Sequence, residues 1–210
     1  MKLASAIYDD FYPFHSFGLF TGHKVVTLAE ELDDADALVV WGGEDISPSL
    51  YNQAVHPYTS AGAAPSRRDR IEWALMQAAA KKGIPIIGIC RGAQMLCAFS
   101  GGTLYQHVNN HGVGRGHEAE CDDGSIITVS SLHHQMMNPT NTEHELIAWS
   151  KEIRSDVHLD ANGDQPVEIE PEYVYFPKVK GHAIQWHPEF QAKEDGANVW
   201  LKDRWNKLGL

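Results

Sequence analysis

Cys90 stands in the stretch "PIIGICRGAQMLCAFSGG", residues 85–102, with Gly88 and Gly92 two residues away on either side. The apolar run before it reads as a buried strand, and the residues after it carry helical spacing. A G-x-C-x-G sequence at such a junction is the thiol counterpart of the nucleophile elbow. The tight turn exposes the sulfur above the sheet, and small neighbours let strand and helix pass close together. The helix that follows brings partial positive charge, which favours thiolate. The backbone N–H of Arg91 points to the same place and can bind a developing oxyanion. Cys97 reads as a buried apolar residue inside the helix, and Cys121, beside Asp122 and Asp123, reads as an exposed thiol.

A thiol nucleophile needs a base and a group that orients it. "GHAIQWHPEF", 181–190, offers both. His187 follows a strand, Pro188 forces an extended turn, and Glu189 stands two residues on, on the same face if the strand continues. His187 would face the thiol, and Glu189 would hold its other ring nitrogen. A second oxyanion donor should come from another loop at the carboxyl edge of the sheet. Gly42-Gly43 in "VVWGGEDISP" follows a buried strand and supplies it.

These residues need a scaffold. Short β-rich runs occur at "KLASAIY", at 24–30 and at 35–43. Ile71, Ala74, Leu75, Ala78 and Ala79 predict a helix from Arg67 to Lys82, stopped by Gly83 and Pro85. "IPIIGI" predicts a strand buried on both faces, and "GAQMLCAF" the next helix. Further on, "SIITVSS", "HELIAWS", "VEIEP", "YVYFP" and "GHAIQWHP" read as strands, and a helix-like segment closes the chain. Residues 56–66 read as a surface loop. Strands alternating with helices predict an α/β fold with a mostly parallel sheet flanked by helices, and the strand-rich second half predicts added antiparallel strands. No linker breaks residues 1–210, so one domain is expected.

Composition narrows the partners. The formal charge is −11, which disfavours nucleic-acid binding. No apolar run approaches the roughly 20 residues of a membrane span. The N-terminus has no long apolar segment, so no signal peptide is read there, and three scattered cysteines fit a cytoplasmic setting. His107 and His111 have the i, i+4 spacing of a helical zinc site, but Gly112, Gly114 and Gly116 oppose a helix there, so no metal is expected.

Three separated stretches, "GICRGAQ", "HPE" and the glycine pair, together resemble the class I glutamine amidotransferase domain with its Cys-His-Glu triad. The resemblance spans about Ala37 to Phe190 and implies a flavodoxin-like three-layer fold. It implies Cys90 as nucleophile, with His187 and Glu189 completing the triad. "GGEDISPSLYN", the R-D-x-x-E pattern in "RRDRIEWALMQAA", "GGTLYQ" and "SSLHHQ" are more similar to the γ-glutamyl-γ-aminobutyrate hydrolase-like branch of the C26 peptidases. By that match Gly43 and Arg91 supply the oxyanion N–H groups, Gln94 touches the glutamyl group, and the backbone of Ser131, Leu132 and His133 holds its α-amino and α-carboxylate ends. Departures fall in the first forty residues, at Trp41 and in 107–121, where leaving-group specificity would be set.

The resemblance implies hydrolysis of a γ-glutamyl amide through a thioester on a small-molecule substrate, without a cofactor. Two alternatives stand beside it. One is a glutaminase subunit that passes ammonia to a separate synthetase, and the other is a non-catalytic binding relative. Oligomeric state, homodimer included, stays open.

Overall fold

The computed structural model describes residues 1–6, 22–112 and 114–209. The expected "KLASAIY" strand therefore runs partly outside the described residues, at Ile7 and Tyr8. In chain order the strands and helices are β1 Lys2–Ser5, β2 Gly22–Val25, β3 Ala37–Val40, α1 Arg67–Lys82, β4 Ile86–Ile89 and α2 Arg91–Phe99. Next come β5 Thr103–Tyr105, β6 His107–Val108, β7 His117–Cys121, β8 Ile126–Val129, β9 Met136–Asn138 and β10 Glu145–Ser150. β11 His158–Asp160, β12 Gly163–Asp164, β13 Pro171–Phe176, β14 Gly181–Ile184 and α3 Gly196–Leu208 complete the described chain.

The main sheet has the order β2-β1-β3-β4-β14-β13-β10-β7-β8. Its first five strands are parallel, and the rest extend it antiparallel. This is the expected α/β arrangement, with its antiparallel addition in the second half. β3 and β4 are buried on both faces, and alternate residues serve opposite cores. Leu38, Val40 and Ile86 pack with Leu75, Met76 and Leu96 of α1 and α2. Val39, Ile87 and Ile89 pack on the other side with Leu201 and Trp205 of α3. Three layers result. Among the described residues no helix is long and apolar enough to cross a membrane.

Local chemistry sets the boundaries of α1. Ser66 caps it by accepting from the Asp69 N–H at 3.0 Å, while the Asp69 carboxylate accepts the Ser66 N–H at 2.8 Å. Gly83, at φ 70°, ends it in the left-handed conformation.

Two expected strands differ from what forms. The strand expected over 24–30 stops at Val25, and Ala29–Leu32 form a 3-10 turn instead. The Glu31 carboxylate draws the chain round by accepting N–H bonds from Thr27 at 2.8 Å and Leu28 at 2.9 Å. "VEIEP" forms no strand before Pro171, because the Glu170 side chain turns inward to accept hydrogen bonds from Arg154 and Ser155 N–H. Cys121 is buried, not exposed, because the β7 pleat turns it toward the α3-side core.

The glycines around Cys90 now have a physical role. A Cβ on Gly92 would overlap the Val40 carbonyl, and one on Gly88 would lie 2.6 Å from the Gly92 carbonyl carbon. β3, β4 and the first turn of α2 thus meet backbone to backbone. Gly92→Ala is expected to lower stability by about 3 kcal/mol, since a rigid backbone cannot yield to the added methyl. Urea unfolding of the variant beside wild type measures it, and an unchanged midpoint would contradict this packing account.

Candidate active site

Three parallel neighbours, β3, β4 and β14, run in register, with Val40 and Ala183 both beside Gly88. Their carboxyl ends therefore deliver Gly42-Gly43, Cys90 and the segment ending at His187 to one edge of the sheet. Ligands bind at this edge in open α/β sheets.

Cys90 sits at φ 51°, ψ −107°, between β4 and α2. A non-glycine residue at positive φ is strained, and such strain persists only where surroundings enforce it. Here the Cys90 N–H donates to Ile184 O at 2.7 Å, and Cys90 O accepts from the Gln94 N–H at 3.1 Å. Cys90 is buried, with 6% exposure. The other two thiols differ. Burial pushes Cys97 up to about 12. Burial, reinforced by Asp123 and Asp122, does the same to Cys121.

His187 Nδ1 and Glu189 Oε1 are 2.7 Å apart and buried. They meet through a turn rather than through the strand pleat expected from their spacing. β14 ends at Ile184, and Pro188–Phe190 form a 3-10 turn that folds Glu189 back under the ring. Three further contacts hold the turn. The His187 N–H donates to Ser130 Oγ at 2.8 Å, Phe190 stacks on the imidazole at 4.7 Å, and Asn198 of α3 donates to Pro188 O at 2.9 Å. Burial pulls the His187 pKa down, but hydrogen bonds to Cys90 and Glu189 outweigh it and raise it to about 10. With Nδ1 on Glu189, Nε2 is the ring nitrogen left for another partner.

Gly42 and Gly43 border this pair. A Cβ on Gly42 would lie 2.6 Å from His187 Cε1, so only glycine lets the loop pass against the ring. Gly43 has φ 140° and lies against the side chains of Arg68 and Arg91. Arg91 opens α2, where a backbone N–H has no acceptor within the helix. The loop is braced from behind. Arg68 donates to Trp41 O at 2.8 Å, Gly42 O at 2.9 Å and Glu72 at 2.9 Å. The buried Arg91 guanidinium pairs with Asp69 at 2.5 Å and with Glu72. A cavity of about 370 Å³ opens beside Gly43 and Arg91, lined also by Asp45, Ser60 and Arg68. Asp45 accepts from the Ser60 N–H at 2.8 Å and pairs with His134 at 3.0 Å, tying the glycine loop to the 56–66 loop and the "SSLHHQ" segment.

The other sequence-selected residues lie deeper. Gln94 is buried and donates to Gln135 O at 3.0 Å. The Ser131 hydroxyl donates to His111 O at 2.8 Å, and Leu132 is exposed. His133 is buried, with Nδ1 2.9 Å from Gln135 O, and its pKa lies well below the usual value because of burial and the neighbouring His111. Reading the sequence missed Arg68, Asp69 and Glu72 as braces. Their signal was the R-D-x-x-E spacing, which places all three on one side of a helix. Asn198, Ser130 and Phe190 had no local signal.

The Peptidase C26 family model matches residues 19–126. A Mycobacterium tuberculosis protein, whose name assigns it provisionally to the glutamine amidotransferases, is 32% identical over 177 residues, covering 75% of this chain and 52% of that relative. The γ-glutamyl-γ-aminobutyrate hydrolase of Escherichia coli strain K12 is 24% identical over 177 residues, covering 70% of this chain and 63% of that one. The chain thus spans about half to two thirds of these relatives' length. A solved structure from Thermoplasma acidophilum, provisionally assigned as a GMP synthase subunit, superposes with a TM-score of 0.58 at 17% identity, over 100% of this chain and 97% of that one.

Proposed function

As the chain belongs to the Peptidase C26 family, we propose that it hydrolyses γ-glutamyl amide bonds through a thioester on Cys90. The family is of the amidotransferase and peptidase type, and the fold is that of the class I glutamine amidotransferases. One observation carries the reading: Cys90 lies at a strained elbow, in electrostatic reach of a buried imidazole that Glu189 holds at 2.7 Å.

In this reading residues 1–210 act as one catalytic domain. The Cys90 thiolate adds to the γ-carbonyl carbon, and the N–H groups of Gly43 and Arg91 receive the oxyanion. The His187 imidazolium gives its proton to the departing amine as the C–N bond breaks, leaving a γ-glutamyl thioester. Neutral His187 then takes a proton from water, hydroxide adds to the thioester, and glutamate leaves as the C–S bond breaks. Glu189 stabilises the imidazolium throughout. Gln94 and the backbone of Ser131, Leu132 and His133 are assigned to the glutamyl end.

The bracing of the glycine loop favours hydrolysis over the ammonia-delivering alternative. A loop tied by Arg68 and Asp45 holds its N–H without help from a partner, and a preformed donor avoids an ordering cost at each turnover. The alternative keeps its support in the likeness of fold to a synthase component.

The isolated chain is expected to release glutamate from γ-glutamyl amines, with glutamine no better a substrate. The assay follows glutamate from both at matched concentrations with no other protein present. Silence on every γ-glutamyl amide, followed by glutaminase activity once a cell extract is added, would overturn the hydrolase reading in favour of ammonia delivery to a synthetase.

A further inference from the structure

His111, His133 and Glu172 reach one buried point from three separate parts of the chain. His111 comes from the segment between β6 and β7, His133 from the segment between β8 and β9, and Glu172 from β13. Each offers a ligand atom, and these atoms all lie within 4.8 Å of one another. None of the three residues is more than 5% exposed.

Hydrogen bonds around them determine which atoms remain for a ligand. His111 turns Nε2 to the Glu170 carboxylate at 3.1 Å, which leaves Nδ1 with only a long 3.4 Å approach to Ser131 Oγ. His133 turns Nδ1 to the Gln135 carbonyl at 2.9 Å, and its Nε2 has no hydrogen-bond partner among the described residues. Glu172 accepts from His117 at 2.9 Å through Oε1, and its Oε2 likewise has no partner. An imidazole that gives one N–H to a carboxylate or carbonyl presents a lone pair on its other nitrogen, and metal-ligating histidines are held in this way. A buried carboxylate oxygen without a partner is costly unless a cation meets it.

We propose that His111, His133 and Glu172 bind one divalent transition-metal cation, zinc by the chemistry of the donors. Two imidazoles and one carboxylate are borderline ligands that suit zinc and its first-row neighbours rather than calcium or magnesium. Ligand atoms around tetrahedral zinc sit about 3.4 Å apart, so binding draws these side chains inward. Glu170 and the Gln135 carbonyl fix the imidazole orientations. The cation ties the "SSLHHQ" segment to β13 and to the segment that precedes β7. The i, i+4 pair His107 and His111 is not the site. His107 lies in a strand, with its ring 4.7 Å from that of Tyr58.

The test is a binding measurement on the full chain, separate from any assay of glutamate release, so the failure of one does not bear on the other. The purified protein is stripped with chelator and titrated with Zn²⁺ by calorimetry and with Co²⁺ by visible absorption. Roughly one equivalent of either ion is expected, with intense tetrahedral Co²⁺ bands. His133→Ala and Glu172→Gln should abolish the bands. Glu170→Gln should weaken binding about 10- to 100-fold through the loss of its hold on His111. His107→Ala should bind as wild type does. Circular dichroism checks that each variant is folded, and the wild-type titration decides if one is not. Wild-type protein that takes up neither ion would overturn the proposal. Undiminished binding by folded His133→Ala, the mark of adventitious surface histidines, would overturn it equally.

Discussion

Cys90→Ala should lower γ-glutamyl amide turnover by about 10⁵- to 10⁶-fold, to the background left by binding and the oxyanion donors. Alanine removes the atom proposed to form the thioester, and nothing else at the elbow can replace it. The backbone should survive the change, because the strain at φ 51° belongs to any Cβ-bearing residue there and the N–H to Ile184 O is kept. Cys97→Ala and Cys121→Ala should retain most activity. Both thiols are held protonated by burial, with pKa values pushed up to about 12, and neither stands at the carboxyl edge of the parallel strands. Steady-state rates of the three variants on one γ-glutamyl amine make the comparison. Activity retained by Cys90→Ala would remove the nucleophile from the account.

His187→Asn should cost about four to six orders of magnitude in kcat, since in the proposed reaction the same imidazole delivers one proton and removes another. Glu189→Gln should cost less, about 10³- to 10⁴-fold, because an amide can still hydrogen-bond Nδ1 but brings no charge. The two variants also differ in their pH dependence. Cys90 and Glu189 raise His187 to about 10 against the pull of burial. The imidazolium therefore persists across neutral pH, and the alkaline limb of the rate profile should fall as pH rises through about 10. Glu189→Gln removes one of the groups that raises the pKa, so the falling limb should move to lower pH. The same upward shift stabilises the fold. That contribution is complete below the ordinary value of 6.5 and fades as pH climbs through about 10. A Glu189→Gln profile that superposes on wild type would reduce the triad to a dyad.

The parts of this site that could be read in sequence were those built from neighbouring residues. α1 declared itself through the helical spacing and the Gly83 stop, while its Ser66 cap emerged only in the structure. The elbow was legible because Gly88, Cys90 and Gly92 are close in sequence and their packing demands glycine. His187 and Glu189 were legible as a pair, but their route to each other was not. A period-two reading assumed strand, whereas Pro188 starts a 3-10 turn. The strand expected at 24–30 failed for a similar reason. One carboxylate, Glu31, captured two backbone donors that a strand would have used.

Features that depend on distant residues gave little or no local signal. Arg68 reaches the carbonyls of Trp41 and Gly42 from across the sheet edge, and Asn198 reaches Pro188 from α3. The small sheet of β6, β11 and β12 and the β5–β9 pair rest on strands of two or three residues, too short for a periodic pattern. His111, His133 and Glu172 converge only after β13 has been paired between β10 and β14.

The most direct measurement of the central claim is to trap the γ-glutamyl enzyme. Wild-type protein is mixed with a γ-glutamyl amine, quenched in acid within one turnover, digested and mapped by mass spectrometry. A glutamine-like diazo ketone on a second sample serves as a stable counterpart. The account predicts one γ-glutamyl thioester and one ketone adduct, both on the peptide that carries Cys90, and no thioester in His187→Asn on the same timescale. Adducts on Cys97 or Cys121, or rapid glutamate release with no acyl group on Cys90, would contradict it.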